Sequence, residues 1–104
     1  MNKNEIKIPS GVVTFLFTDI EGSTKLSQQF PEKLPAALEI HHSILSDVIE
    51  SNNGFIFEIV GDAFCCAFEK AEDAVKAAVE AQIKLSEEKW KDAVIKIRIG
   101  IHSG

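Results

Sequence analysis

The chain has 104 residues, the length of one small domain, and its hydrophobic fraction of 45% and charged fraction of 26% are those of a folded globular protein. Its formal net charge is −5. No cluster of Lys and Arg is available to neutralise phosphates, which argues against a nucleic-acid partner. No apolar stretch is long enough for a signal peptide or a bilayer span, so we expect no membrane contact from this segment and a cytoplasmic location.

The first strand is predicted early in the chain. Residues 1–11 are polar and read as a flexible lead-in, and residues 12–104 as the folded part. Residues 12–17 (VVTFLF) are dense in β-branched and aromatic side chains, the pattern of a central buried strand. We expect this strand to stop at residues 18–24 (TDIEGST), so that Asp19 lies where the strand ends.

Two helices are predicted next. After the strand, Gly22 tolerates unusual backbone angles and Ser23 or Thr24 can cap a short helix, which Pro31 breaks. Residues 35–51 then form an amphipathic helix, because their apolar positions recur every three or four residues. These positions are Ala37, Leu38, His41, Ile44, Leu45, Val48 and Ile49.

A β-hairpin follows. Residues 55–60 and 63–68 are two strand-like runs joined around Gly61 and Asp62, which places Asp62 at the turn. The adjacent Cys65 and Cys66 would point to opposite faces of a strand, so we expect a reduced, packed pair and no disulfide between them.

The last two predicted elements are a helix and a strand. Residues 72–88 form an Ala-rich amphipathic helix, with Val75, Ala78, Val79 and Leu85 available for packing. Residues 94–101 alternate strictly and predict a strand. One face of this strand carries Ile95, Ile97, Ile99 and Ile101, whereas Lys96 and Arg98 lie on a face that is either solvated or meets a partner subunit.

This order of elements predicts an α+β fold. Two split βαβ units give a ferredoxin-like βαββαβ sandwich, with a four-stranded antiparallel sheet and helices on one face. The first strand then lies next to the second strand of the hairpin, which brings Asp19 and Asp62 to neighbouring strand ends.

Paired aspartates predict a divalent-metal site. Two close carboxylates repel unless positive charge lies between them, and hard oxygen ligands suit Mg²⁺ or Mn²⁺, which complete their shells with water and substrate phosphates. The competing interpretation is that Asp19 and Asp62 each support only a local turn. Gly22, Ser23 and Thr24 favour the metal site, because a helix start beside it presents free N–H groups to an anion. The combination suits a nucleoside triphosphate with its metal ions.

His41 lies on the apolar face of its predicted helix. No second ligand is spaced with it, so we expect a packed, hydrogen-bonded histidine and not a metal ligand.

Three segments carry a family resemblance over nearly the whole chain. Residues 13–24 (VTFLFTDIEGST), 57–64 (FEIVGDAF) and 98–104 (RIGIHSG) resemble, in the same order, three signatures of the class III adenylate/guanylate cyclase catalytic domain. The fold known for that family agrees with the ferredoxin-like order of elements.

The resemblance implies a role for each matching residue. Asp19 and Asp62 match two metal-binding aspartates, and the backbone carbonyl of Ile20 matches a further ligand. Residues 22–24 match the triphosphate loop, although many members carry Phe where this chain has Ser23. Two Mg²⁺ or Mn²⁺ ions would activate the ribose 3′-hydroxyl and stabilise the leaving pyrophosphate. The product would be a 3′,5′-cyclic nucleotide, made from ATP or GTP by a homodimer or pseudo-dimer for signalling inside the cell.

Glu58 matches the position that reads the base. Adenylate cyclases usually have Lys there and guanylate cyclases usually have Glu, which can accept from the guanine N1–H and amino groups. Glu58 therefore favours GTP, unless it is a strand-edge charge without a base contact; ATP against GTP stays open.

The resemblance covers the N-terminal portion of such a domain and stops at Gly104. The family's Asn and Arg that stabilise the transition state follow that point, so we expect this chain alone to be inactive, whether it is a fragment or a natural half-domain. A non-catalytic nucleotide-binding or dimerisation module of the same fold is the alternative. A diguanylate cyclase ranks lower, because the turn around Asp62 lacks that family's second acid.

Overall fold

The computed structural model describes residues 11–104, and residues 1–10 of the predicted lead-in lie outside the described residues. Within the described residues, seven helices and strands follow one another: β1 (Thr14–Ile20), α1 (Ser23–Gln29), α2 (Leu34–Ser51), β2 (Phe55–Val60), β3 (Ala63–Phe68), α3 (Ala71–Glu87) and β4 (Ile97–Ser103). Among residues 11–104, no helix is long and apolar enough to cross a membrane.

The four strands form one antiparallel sheet in the order β2-β3-β1-β4. This is the order of a ferredoxin-like sandwich, so the predicted fold class is confirmed. The two central strands are β3 and β1. Asp19 lies on β1, and Asp62 directly precedes β3.

Strand β1 separates a buried face from an open face. Thr14, Leu16, Thr18 and Ile20 are buried against the helices, while Phe17 and Asp19 point to the other side of the sheet and are partly exposed. Because side chains alternate along a strand, the face that carries Asp19 also carries the paired open-face residues of β3 and β4. The described helices leave this face uncovered.

Helix α2 presents the predicted stripe to the core, whereas α3 is rotated from the predicted orientation. Leu85 of α3 is buried, but Val75 and Val79, which we expected to pack, are about half exposed. A stripe of alanines faces the core in their place: Ala74, Ala77 and Ala81. Because alanine side chains are small, the helix can pack closely against its neighbours with this face. The valines lie on another side of the helix and remain partly exposed.

Two strand boundaries differ from the prediction. β1 runs past the expected end, because its ladder with β4 continues through Asp19↔Arg98 and Ile20↔Ile97. β4 begins at Ile97 and not at residue 94, although Ile95 is already buried. Asp19 is therefore held inside a strand and not in a loop after it.

Candidate functional site

Asp19 is the penultimate residue of β1 and faces the open side of the sheet. Its two carboxylate oxygens each accept a hydrogen bond from Arg98: Nε donates to Oδ1 and Nη2 donates to Oδ2, both at 2.9 Å. The two side chains meet because Arg98 lies directly across from Asp19 in the β1–β4 register. The structure thus places a guanidinium on a predicted metal ligand.

Two acidic side chains, those of Asp19 and Glu21, act on Arg98. The pKa of Arg98 is raised, first by the hydrogen bonds to Asp19 and then by the charge of Asp19. Desolvation opposes this rise, and the charge of Glu21 adds a smaller contribution to it. The sequence predicted a solvated or partner-facing strand for Arg98, and the ion pair was missed. The alternation of residues along β4 indicated on which face of the sheet Arg98 lies. Only the β1–β4 register could identify Asp19 as its partner.

A shallow cavity of about 400 Å³ lies against this ion pair on the open face. Phe17, Ala63 and Cys65 line it beside Asp19 and Arg98. The cavity is therefore lined by charged side chains at one end and by largely apolar side chains elsewhere.

The two cysteines are free, as predicted. Cys65 is half-buried and lies on the open face, whereas Cys66 is fully buried on the helix face. Burial raises the pKa of the Cys66 thiol to about 12, so it stays protonated at neutral pH.

Asp62 occupies the hairpin turn between β2 and β3, as predicted. It shares a cavity of about 270 Å³ with Ser23 and Thr24, and Ile20 forms part of the wall. The structure therefore brings Asp62 next to the loop predicted to hold the triphosphate. Gly61, with φ +62°, supplies the left-handed backbone that this tight turn needs.

The start of α1 differs from the prediction of a Ser or Thr cap. Gly22 is the N-cap residue, with φ +62°, and Ser23 is already the first helical residue; no side chain of residues 11–104 caps the helix. The first N–H groups of α1 consequently have no intrahelical acceptor and no side-chain cap from the described residues.

Asp19 and Asp62 belong to neighbouring strand ends. β1 and β3 are antiparallel, with Phe17 opposite Cys65. The paired residues end there: Asp19 lies two positions after Phe17, and Asp62 lies three positions before Cys65. The two carboxylates nevertheless line different cavities.

The predicted metal ligands all donate through oxygen atoms. Within residues 11–104, no group of three or more His, Cys, Asp or Glu side chains could hold a metal ion. Two carboxylates and a backbone carbonyl such as that of Ile20 fit Mg²⁺ or Mn²⁺, which commonly rely on substrate phosphates and water for the rest of their shell. They do not fit a structural zinc site.

Glu58 lies on β2, at the edge of the sheet, and is exposed. A β-bulge between Ile56 and Glu58 shifts the pairing with β3 at this point. The bulge leaves Phe57 on the open face, where its ring meets Phe15 edge-on at 6.1 Å between centroids.

His41 is buried as predicted but is not fully hydrogen-bonded, which corrects the expectation. Its Nε2 has no partner among the described residues, and its ring packs edge-on against Phe64. A cavity of about 340 Å³ joins His41 and His42 to Asp62. Desolvation lowers the pKa of His41, the charge of Asp62 opposes that effect, and His42 adds to it.

Known proteins resemble this chain in sequence and in fold. Residues 7–104 match the adenylate and guanylate cyclase catalytic domain family. An adenylate cyclase of Lachancea kluyveri is 34% identical over 96 residues, which is 92% of this chain and 5% of the relative.

Two solved structures show the same arrangement of helices and strands. A Trypanosoma brucei adenylate cyclase in its monomeric state superposes with a TM-score of 0.86 at 26% identity, over 100% of this chain and 61% of that one. A guanylate cyclase domain of Catenaria anguillulae in complex with GTP gives 0.78 at 24% identity, over 89% of this chain and 56% of that one, and supports the fold alone.

The chain spans about three-fifths of the solved cyclase domain and a small part of the curated relative. The sequence match covers residues 7–104, and the superposition on the Trypanosoma brucei structure covers 100% of this chain. The chain therefore belongs to the adenylate and guanylate cyclase catalytic domain family.

Proposed function

We propose that this chain is the metal- and triphosphate-binding part of a nucleotidyl cyclase domain, which converts ATP or GTP to a 3′,5′-cyclic nucleotide and pyrophosphate. One observation carries the proposal: Asp19 and Asp62 belong to neighbouring strand ends, and Asp62 shares a cavity with Ser23 and Thr24. In this proposal, the carboxylates bind the metal and the N–H groups at the start of α1 bind the phosphates.

Each residue has a separate task in this proposal. Asp19, Asp62 and the carbonyl of Ile20 hold Mg²⁺ or Mn²⁺, and the backbone N–H groups of Ser23 and Thr24 donate to phosphate oxygens. When bound, two such ions supply electrostatic stabilisation to the attacking 3′-oxygen and the leaving pyrophosphate. The chain's own contribution is to fix the two backbone segments that carry the carboxylates at neighbouring strand ends.

The base and the partner subunit belong to the same proposal. Glu58 favours guanine, since its carboxylate can accept from the N1–H and amino groups. The complete domain works as a homodimer or pseudo-dimer in the cytoplasm. Support for a partner comes from the open face of the sheet, where Phe17 and Phe57 are 43% and 45% exposed.

Calorimetry on the 104-residue chain tests the metal–triphosphate site. Binding of a non-hydrolysable GTP analogue is measured with Mn²⁺ and with EDTA. We expect binding only with Mn²⁺, and a loss of at least tenfold in affinity in Asp19→Asn and in Asp62→Asn. Asp47→Asn, which removes an exposed carboxylate from α2, is the matched control and should bind like the wild type. Metal-independent binding, or equal binding by all three variants, would contradict the proposal.

A further inference from the structure

The ion pair between Asp19 and Arg98 joins two residues that are 79 positions apart in sequence. It is bidentate, so both carboxylate oxygens are engaged at 2.9 Å. A planar fork on a carboxylate is the best-defined geometry for such a pair. Both side chains are nevertheless open to solvent, with exposures of 49% for Asp19 and 65% for Arg98. Water and ions therefore have access to the pair.

We propose that Arg98 is an internal counter-ion of Asp19, which a divalent cation must displace before the carboxylate can act as a metal ligand. The inference rests on the proposed function, since it takes Asp19 as a ligand. It assigns Arg98 a positioning and threshold role: Arg98 orients the carboxylate and lowers the affinity of the chain for the free metal ion.

Competition follows from charge and from geometry. A divalent ion and a guanidinium both seek the oxygens of Asp19, and like charges at that distance repel each other. The β1–β4 ladder fixes both backbones, so the two side chains cannot move apart without a rotamer change. Arg98 has a second acidic neighbour, Glu21, whose charge also acts on it. Displaced from Asp19, the guanidinium therefore remains in a favourable electrostatic environment.

The expected size of the effect is modest. Exposed ion pairs contribute little and are screened by salt, so removing the competitor should strengthen metal binding by about two- to fivefold at low ionic strength. Raising the salt concentration to about 0.5 M should reduce that gain, because salt weakens the pair in the wild type as well.

The test measures binding of Mn²⁺ alone, without nucleotide, from the electron paramagnetic resonance signal of the free ion. Arg98→Gln should bind Mn²⁺ about two- to fivefold more tightly than the wild type. Lys96→Gln removes the same charge from an exposed neighbour and is the matched control, with no gain beyond about 1.5-fold expected for general electrostatics. Arg98→Lys keeps the positive charge but loses the bidentate hydrogen bonds, so its affinity for Mn²⁺ should lie between those of the wild type and Arg98→Gln. The double variant Asp19→Asn/Arg98→Gln should lose the gain.

A second measurement follows the pair itself. The side-chain Nε–Hε resonance of Arg98 should shift on titration with Mg²⁺ in the wild type and stay unchanged in Asp62→Asn if the ion no longer binds. If the wild type binds Mn²⁺ through Asp19 and Arg98→Gln binds it no more tightly, the proposed competition by Arg98 is wrong, whereas the proposed metal site stands. If neither protein binds Mn²⁺, even with the GTP analogue, the proposed metal site is wrong and the inference falls with it.

Discussion

The backbone N–H of Phe64 donates a hydrogen bond to the hydroxyl of Thr18 across 3.2 Å. Thr18 is buried and directly precedes Asp19, and Phe64 lies two residues after Asp62. This one bond therefore ties together the two strand segments that carry the predicted metal ligands, inside the core and beneath the open face.

Replacing Thr18 by Val should destabilise the chain. Val keeps the shape but leaves the buried N–H of Phe64 without an acceptor, a loss of about 1–3 kcal/mol. Thr18→Ser, which keeps the hydroxyl, should cost about 1 kcal/mol or less for the lost methyl group. Urea unfolding of the metal-free chain gives both values. Equal stability of the two variants would show that the hydrogen bond contributes nothing.

His41 should make the stability of the chain depend on pH. Desolvation lowers its pKa in the folded state from the ordinary value of 6.5, so the unfolded chain binds the proton first. The free energy of unfolding should then be constant above pH 6.5 and decrease below it, by at most about 1.4 kcal/mol per pH unit.

The variant His41→Leu isolates this dependence. Urea unfolding at pH values between 5 and 7.5 should show a flatter profile for His41→Leu than for the wild type. The exposed His102 supplies the control, since His102→Gln should keep the wild-type slope. Parallel profiles for wild type and His41→Leu would refute the assignment to this histidine.

Gly54→Ala should destabilise the junction of α2 and β2. A Cβ at this position would lie 2.6 Å from ring atoms of Phe68 and 2.7 Å from Cγ2 of Ile49, and both side chains are buried. Overpacking of this kind costs about 1–3 kcal/mol. Gly100→Ala is the control, because a Cβ there meets no heavy atom of residues 11–104 within 4 Å. Thermal unfolding should rank Gly54→Ala clearly below Gly100→Ala, and the reverse order would contradict the packing described for Phe68.

Glu58→Lys should change which base the proposed site prefers. A carboxylate accepts hydrogen bonds from guanine, whereas an ammonium group can only donate, so the ratio of GTP-analogue to ATP-analogue affinity should fall about tenfold. Calorimetry with Mn²⁺ and the two analogues measures this ratio. Glu87→Lys makes the same charge change at the exposed end of α3 and should leave the ratio unaltered. An unchanged ratio in Glu58→Lys would remove Glu58 from base recognition.

Local patterns predicted the order of the helices and strands well. The apolar positions of α2 have helical spacing, and the buried set Ala37, His41, Leu45, Val48 and Ile49 follows it closely. The hairpin turn at Asp62 was equally readable, because Gly61 and Asp62 interrupt two strand-like runs. These features depend on residues close in sequence, whose spacing decides the outcome.

The orientation of α3 could not be read in the same way. Alanines at positions 74, 77 and 81 and the larger apolar residues Val75, Val79 and Ile83 both recur at helical spacing. Hydrophobicity alone favours the larger side chains for the core. The alanine stripe is buried because the sheet and α2 come close to α3, and that distance is a property of the assembled layers.

The sequence by itself determined that Asp19 and Asp62 would stand at the ends of neighbouring strands, since the order of elements implies the antiparallel pairing of β1 and β3. Only the tertiary structure decided what each carboxylate meets. Asp62 lies beside the start of α1, and Asp19 is held by Arg98. Strand register sets such contacts, because a shift of one residue would turn Arg98 to the opposite face of the sheet.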